Sequence, residues 1–491
     1  MRRYLHAQQT GTLVTDLNIQ LRGGNAGLRE RLRVRIAPLF LMASETSTTG
    51  TGSATLQRSS LQRSMGLTAA ASMVVGIIVG VSIFVQPSEV TRLAANQRGI
   101  MLVWLASGVL TLCAALVCAE LAWLFPETGG VYVFLKRIYS PAMGFLWGWG
   151  IFWVMHTGIL AAIAVVLARY AASFLGLGEV GVRLLAVAAI ILVSIVQYLG
   201  VKLGSAVQVA LTAAKLAAIG VICALLFALG RAAHHALPAE AAQPVAITKF
   251  GLAVAAGLFS YGGFHMLTYT AGEVRDPQRT IPRALVLGVL IVTACYMLLN
   301  AAYLYVLPVS AVAQSTRVAA DAASRVLGPH SSAAITLAII VSALGALNGI
   351  ALAGPRVYYA MAQDGLAFRW MAALHPARRT PHLTIAAQAA WACVLAATNS
   401  YRALFTRVVY TEWLFFALLA AGIFVLHRRG EYQPKFLRFG FPLLPAATFI
   451  TAAAIAVNQI YASPRESALG LGLILLGLPV YFVWSHRRAE T

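Results

Sequence analysis

The segments Val75-Gly-Ile-Ile-Val-Gly-Val-Ser-Ile-Phe-Val-Gln-Pro87 and Gly257-Leu-Phe-Ser-Tyr-Gly-Gly-Phe264 decide the fold. Each lies in an apolar run long enough to cross a bilayer, and each puts small residues at mid-depth. These are Gly76, Gly80 and Ser82 in one and Gly257, Gly262 and Gly263 in the other. In hydrocarbon an unpaired backbone amide or carbonyl costs several kcal/mol, so a helix breaks there only where protein or a wet cavity surrounds the gap. Glycine also serves close helix packing, and either cluster alone reads equally well that way. The two runs are five spans apart, the spacing of corresponding elements in two five-helix halves.

The rest of the chain fits a membrane protein. It has 491 residues, 59% hydrophobic and 11% charged, with a mean hydropathy of +0.77. A water-exposed globular surface needs far more charge. A span takes roughly 20 apolar residues, and twelve runs fit, at about 66–92, 99–125, 140–172, 182–199, 203–229, 250–272, 282–307, 331–361, 381–397, 402–427, 440–461 and 467–485. The net charge of +21 is scattered singly between these runs, which argues against a nucleic-acid surface. If both termini are cytoplasmic, 25 of the 37 Lys and Arg residues fall inside, 11 outside, and Lys215 lies within a span. The positive-inside rule favours that orientation. Without the nine basic residues of the first 65 the bias shrinks to 16 against 11.

Residues 1–64 read as a disordered cytoplasmic tail, basic around Arg29, Arg31, Arg33 and Arg35 and then rich in Ser, Thr and Gly from Ser44 to Ser64. The short apolar run Ile36 to Ala43 is too brief for a span, and Met42 is a second possible initiator. Residues 65–485 form one transmembrane domain, followed by a short cytoplasmic tail at 486–491. Cys113, Cys118, Cys223, Cys295 and Cys393 all lie in apolar runs and offer neither a loop disulfide nor a metal site. No enzyme motif and no cofactor-binding motif stands out.

Two facing helix breaks make a polar site in an apolar medium. Half-helix N-termini present free N–H groups and a positive dipole to a carboxylate, and unwound carbonyls accept from an ammonium group. A zwitterionic amino acid carries both. The first break resembles helix one of the amino acid-polyamine-organocation superfamily, above all its L-type amino acid transporter branch, which reads Gly-Ser-Gly-Ile-Phe there. Three further stretches are similar to that family in order along the chain. They are Glu120-Leu-Ala with Pro126-Glu-Thr-Gly-Gly-Val-Tyr132 and Ser140-Pro141, then Gly257 to Phe264 leading into Glu273-Val-Arg-Asp-Pro-Gln-Arg-Thr-Ile-Pro-Arg283, and finally Ala346-Leu-Asn-Gly349 with Gly354-Pro-Arg356 and Ala362-Gln-Asp-Gly365.

The resemblance implies an all-α membrane protein of about twelve helices, a 5+5 inverted repeat (LeuT-like) with helices one and six discontinuous and two helices peripheral, working by alternating access. It implies that a substrate carboxylate meets the N–H groups of Gly80, Val81 and Ser82, that the ammonium meets carbonyls near Ile78, Phe259 and Gly262, and that Phe259 closes over the side chain. The chain departs from the family at the break, where Gly-Ser-Gly becomes Gly80-Val81-Ser82 and Val81 restricts conformation and room. Gly262 stands where relatives that accept cations place an Asp, which points to neutral substrates. His265 replaces an Asn and either bonds substrate, exchanges a proton or is simply a pore-facing polar group.

Lys215 lies more than two helical turns from either end of its span, beyond easy snorkelling, and an unpartnered ammonium there costs roughly 2.5 to 3.5 kcal/mol. By resemblance it bridges the unwound backbone of helix one to helix eight near Ser342, in the place of a sodium ion of related folds, and proton coupling through it is one consequence. Glu412 is a second charge in a span, idle if its helix begins at Thr411 and vestibule-lining, favouring amines, if it reaches inward. Glu120 and Glu273 suit gate or structural ion pairs.

The sequence thus reads as a plasma-membrane amino acid permease for neutral substrates, by exchange or proton symport, with no obligatory companion chain. A cationic amino acid or polyamine antiporter and a non-transporting amino-acid sensor are the alternatives.

Overall fold

In the computed structural model the described residues are 61–94, 96–235, 246–315, 317–328, 331–398, 401–430, 432–438, 440–462 and 464–489. Residues 1–60 of the expected tail lie outside them. Four tail residues belong instead to the body. Leu61 is buried, and the N–H groups of Ser64 and Met65 each donate to Glu273 O at 2.9 Å while Arg275 N–H returns a bond to Met65 O at 2.9 Å.

The described residues form helices and no strand beyond one isolated bridge, Met65 to Val274. The principal helices in chain order are α1 (Leu67–Ile78), α2 (Ser82–Ala94), α3 (Gln97–Leu124), α4 (Pro141–Gly150), α5 (His156–Leu175), α6 (Glu179–Leu199), α7 (Val201–Leu229) and α8 (Ile247–Phe259). A 3₁₀ segment, Phe264–Glu273, follows, then α9 (Pro277–Val306), α10 (Ser331–Gln363), α11 (His382–Thr398), α12 (Tyr401–Arg428), α13 (Leu443–Ala462), α14 (Pro464–Leu475) and α15 (Gly477–Ala489). Among the described residues ten helices or helical stretches are long and apolar enough to cross a membrane, and eleven if the bent pair α1 and α2 counts as one span. The ninth expected span corresponds to α11, whose 17 residues reach about 26 Å at 1.5 Å per residue, short of the ~30 Å hydrocarbon core.

Polar residues spaced on one face of α7 hold its neighbours in place. Gln208, Thr212 and Lys215 fall at i, i+4 and i+7, a single helical stripe. Thr212 Oγ1 donates to Ser72 O of α1 at 2.9 Å, and Asn348 Nδ2 of α10 donates to Gln208 Oε1 at 2.8 Å. Gln197 Nε2 of α6 donates to Asn348 Oδ1 at 2.6 Å. Small residues permit the approach: a Cβ at Gly76 would run into Gln208 and Thr212, and one at Gly349 into Ile77. Side-chain hydrogen bonds and close packing thus stand in for the hydrophobic drive that lipid removes.

Candidate functional site

The first break is a tight turn. Val79 sits at φ −73°, ψ 75°, and Gly80 N–H donates to Ile78 O at 2.7 Å, an inverse γ-turn. α1 ends there, α2 restarts at Ser82, and the two axes differ by 50°. The second break spans Ser260 to Gly263, with Gly263 at φ 95°, a left-handed backbone that suits glycine. A Cβ on Gly263 would also strike Ile77 of the other broken helix, 2.5 Å from its Cγ2.

One pocket lies between the breaks. Ile78, Gly80, Val81 and Ser82 form one wall and Phe259, Ser260, Gly262 and Gly263 the other. Ile159, Ala162, Ile163 and Val166 of α5 give an aliphatic side, and Glu412 with Trp413 of α12 completes it. Among the described residues the N–H groups of Val81 and Ser82 meet no backbone acceptor. They open the N-terminus of α2 and suit an anion. Gly80 differs from expectation, because its N–H is already spent on the γ-turn. On the opposite wall Phe259 O takes Gly262 N–H at 3.3 Å, a long bond that leaves lone-pair capacity.

Three side chains hold the break open from behind. Lys215 Nζ donates to Gly76 O at 2.8 Å, Val79 O at 2.7 Å and Ser342 O at 2.9 Å. Ser342 Oγ lies 3.0 Å from Val79 O and 3.1 Å from Gly80 O. Lys215 thus ties the end of α1 to α10 at Ser342. Three carbonyl acceptors around one nitrogen require three N–H donors, which is the ammonium form. The third side chain, Tyr296 of α9, was not singled out from sequence: its hydroxyl lies 3.0 Å from Ile78 O and 2.9 Å from Ser260 O, joining the two breaks. A lone tyrosine in an apolar run carries no periodic signal, so only its position relative to both breaks reveals it. Ile78 O also takes Gly80 N–H at 2.7 Å, so its second lone pair is open when the tyrosine proton goes to Ser260 O.

Two further sequence readings change. His265 does not line the pocket. It is fully buried behind the wall, its ring 4.7 Å from that of Phe416 and 6.1 Å from that of Trp147. The turn at Gly263 rotates it away from the cavity. Glu412 lies well inside α12 rather than at its start, is only 7% exposed and faces the pocket. Its Oε1 is 3.6 Å from His265 Nε2. Glu273 pairs with Arg356, Nε and Nη2 each donating to a carboxylate oxygen at 2.9 Å with both side chains fully buried. Glu120 accepts instead from the N–H groups of Lys435, Phe436 and Leu437 at 2.7, 2.6 and 3.1 Å.

Several known proteins are similar to this chain in sequence. The family described as amino acid permease matches residues 65–484. The serine/threonine exchanger SteT of Bacillus subtilis (strain 168) is 29% identical over 436 residues, covering 88% of this chain and 98% of its own. The b(0,+)-type amino acid transporter 1 of Homo sapiens is 30% identical over 472 residues, covering 94% and 93%. The large neutral amino acids transporter small subunit 2 of Homo sapiens is 28% identical over 439 residues, covering 87% and 82%. With a broken-helix pocket and apolar spans over the matched length, the chain is a multi-pass membrane protein that belongs to the amino acid permease family of the amino acid-polyamine-organocation superfamily, near its L-type transporter branch.

Proposed function

We propose that this permease is a secondary transporter that carries neutral amino acids across the plasma membrane by alternating access, through exchange or proton symport. One observation carries the reading: a single pocket has the open N-terminus of α2 on one wall and the C-terminal carbonyls of α8 on the other. That polarity fits the carboxylate and ammonium of a free amino acid. Val81 and Ser82 hold the carboxylate; Ile78, Phe259 and Gly262 receive the ammonium; Phe259 covers the side chain. The aliphatic face of α5 and the absence of a carboxylate at Gly262 favour an uncharged side chain. The names of the relatives, exchangers and transporters of amino acids, support the same class.

The reading includes twelve spans, with α11 crossing as a short tilted-neighbour helix, a five-plus-five inverted repeat and both termini in the cytoplasm. A short helix can be accommodated by local thinning of the bilayer. It also includes a single-chain transporter, since all five cysteines lie within helices. One relative is by name a small subunit, so the mass of the detergent-solubilised particle decides the matter. Glu412 supports a second reading, a cationic amino acid or polyamine substrate, because it puts a carboxylate on the pocket wall.

Proteoliposomes filled with unlabelled amino acid and offered a labelled panel test the proposal. Saturable uptake of neutral amino acids, stimulated by internal substrate or by an inward proton gradient, is expected. Saturable binding with no uptake under any condition would identify a sensor instead.

A further inference from the structure

Among the described side chains Glu412 is the one ionisable group on the pocket wall, and none but His265 stands within ion-pair reach of it. Among the described side chains, His265 and Tyr269 of the 3₁₀ segment lie beside it, and His156 of α5, Cys118 of α3 and Tyr358 of α10 lie around Tyr269. The buried Arg356 is committed to Glu273. Lys215 is fully used by three carbonyls. A carboxylate buried without a partner charge costs several kcal/mol, so Glu412 requires a cation or a proton.

The group in contact is an imidazole that has nothing else to bond. Both nitrogens of His265 are fully buried with no hydrogen-bond partner among the described residues, and Nε2 stands 3.6 Å from Glu412 Oε1. A shift of a few tenths of an ångström makes this a hydrogen bond. Behind His265 the polar groups continue. The Tyr269 ring lies 5.6 Å from that of His265 and 5.5 Å from that of His156. Both His156 nitrogens and the Tyr358 hydroxyl are likewise buried without partners among the described residues, and the Tyr269 hydroxyl lies beside Trp147. Buried polar atoms are rarely left unpaired, and a cluster of them in line calls for an explanation.

We propose that Glu412 and His265 together form a one-proton site that couples proton movement to transport, while Lys215 braces the first break. The assignment rests on the amino acid permease reading given above. With one proton aboard, the pair is neutral overall, either as carboxylic acid beside imidazole or as carboxylate beside imidazolium. A zwitterionic substrate then enters without leaving a net charge in the pocket. The proton is taken from water in the pocket onto Glu412, shared with His265 Nε2, and returned to water on the far side; no electrons move. The lined-up groups Tyr269 and His156 give this site a polar route away from the pocket that hydrates when the bundle opens.

The test uses wild-type protein in liposomes with an entrapped pH dye. A zwitterionic amino acid that the protein takes up and, separately, arginine are added outside, and lumen acidification is counted per molecule moved. One proton should accompany each zwitterion in the wild type, the ratio should fall to zero in Glu412→Gln, and Glu412→Asp should keep it. His265→Asn should keep the carboxylate but displace the pH profile of uptake. Zwitterion uptake without acidification would overturn the proton site while leaving the permease reading intact. An unchanged ratio in Glu412→Gln would overturn it too, as would arginine uptake without acidification at the expense of zwitterions, which would make substrate the counter-charge. Absence of any amino acid uptake would instead sink the reading on which the site rests. Should Glu412→Gln prove inactive, the wild-type and Glu412→Asp ratios still decide.

Discussion

Lys215→Ala is expected to abolish amino acid uptake while the protein still inserts and elutes as a single species. The ammonium satisfies carbonyls of Gly76 in the last turn of α1, of Val79 at the break and of Ser342 in α10. Each bond to a charged donor is worth roughly 1.5 to 3 kcal/mol, and its loss also strands a buried acceptor. Ser342 Oγ still donates to Val79 O or Gly80 O, so the break should loosen rather than collapse. Loss of about 3 kcal/mol of positioning corresponds to about a hundredfold in rate. Gly345→Val approaches the same point from another helix, because a Cβ there would sit 2.8 Å from Lys215 Nζ and 2.9 Å from its Cε. It should depress uptake in the same sense without altering any charge. Initial rates in proteoliposomes at matched protein density measure both. Wild-type rates in Lys215→Ala would reduce the lysine to a dispensable packing group.

The second large effect concerns stability. Arg356 and Glu273 form a bidentate pair with neither side chain exposed, and Arg356 Nη1 also donates to Leu352 O at 2.6 Å. Removing one partner of such a pair costs about 3 to 5 kcal/mol, because the other charge stays buried. Arg356→Leu and Glu273→Leu should each lower the thermal midpoint of the detergent-solubilised protein sharply. The double variant Arg356→Met with Glu273→Leu should recover much of the loss, since a packed apolar pair has no charge to desolvate. Single variants as stable as wild type would show that the pair is hydrated rather than buried. The same end of the 3₁₀ segment receives Ser64 and Met65 through Glu273 O, so the pair also fixes where the chain enters α1.

Most of the fold and part of the site were legible in the sequence. Long apolar runs gave the helices because hydrocarbon tolerates little else, and the clusters at Gly80 and Gly262 gave both breaks. Lys215 was legible because a charge that far from either end of a span must find partners. Local spacing could not show that Gly80 N–H closes a γ-turn on Ile78 O, since this follows from the backbone angles of Val79. Nor could it show that Tyr296 joins the breaks, a contact set by the packing of α9. His265 was misplaced for a related reason. A regular helix through Gly262 would present it near the cavity, but the left-handed turn at Gly263 swings it behind the wall. Glu412 depended on where its helix begins, and that boundary is the least certain quantity a single sequence offers. The α11 span falls short in sequence as well as in structure, since the apolar run at 381–397 and the helix His382–Thr398 are both 17 residues long.

The most direct test of the central claim is competition in proteoliposomes between a transported L-amino acid and two analogues of it. One analogue lacks the α-carboxylate and the other lacks the α-amino group. If the open N–H groups of Val81 and Ser82 and the carbonyls of the facing break bind the zwitterion, the amino acid should compete while both analogues fail to do so. Equal competition by either analogue would contradict a clamp built from the two broken helices.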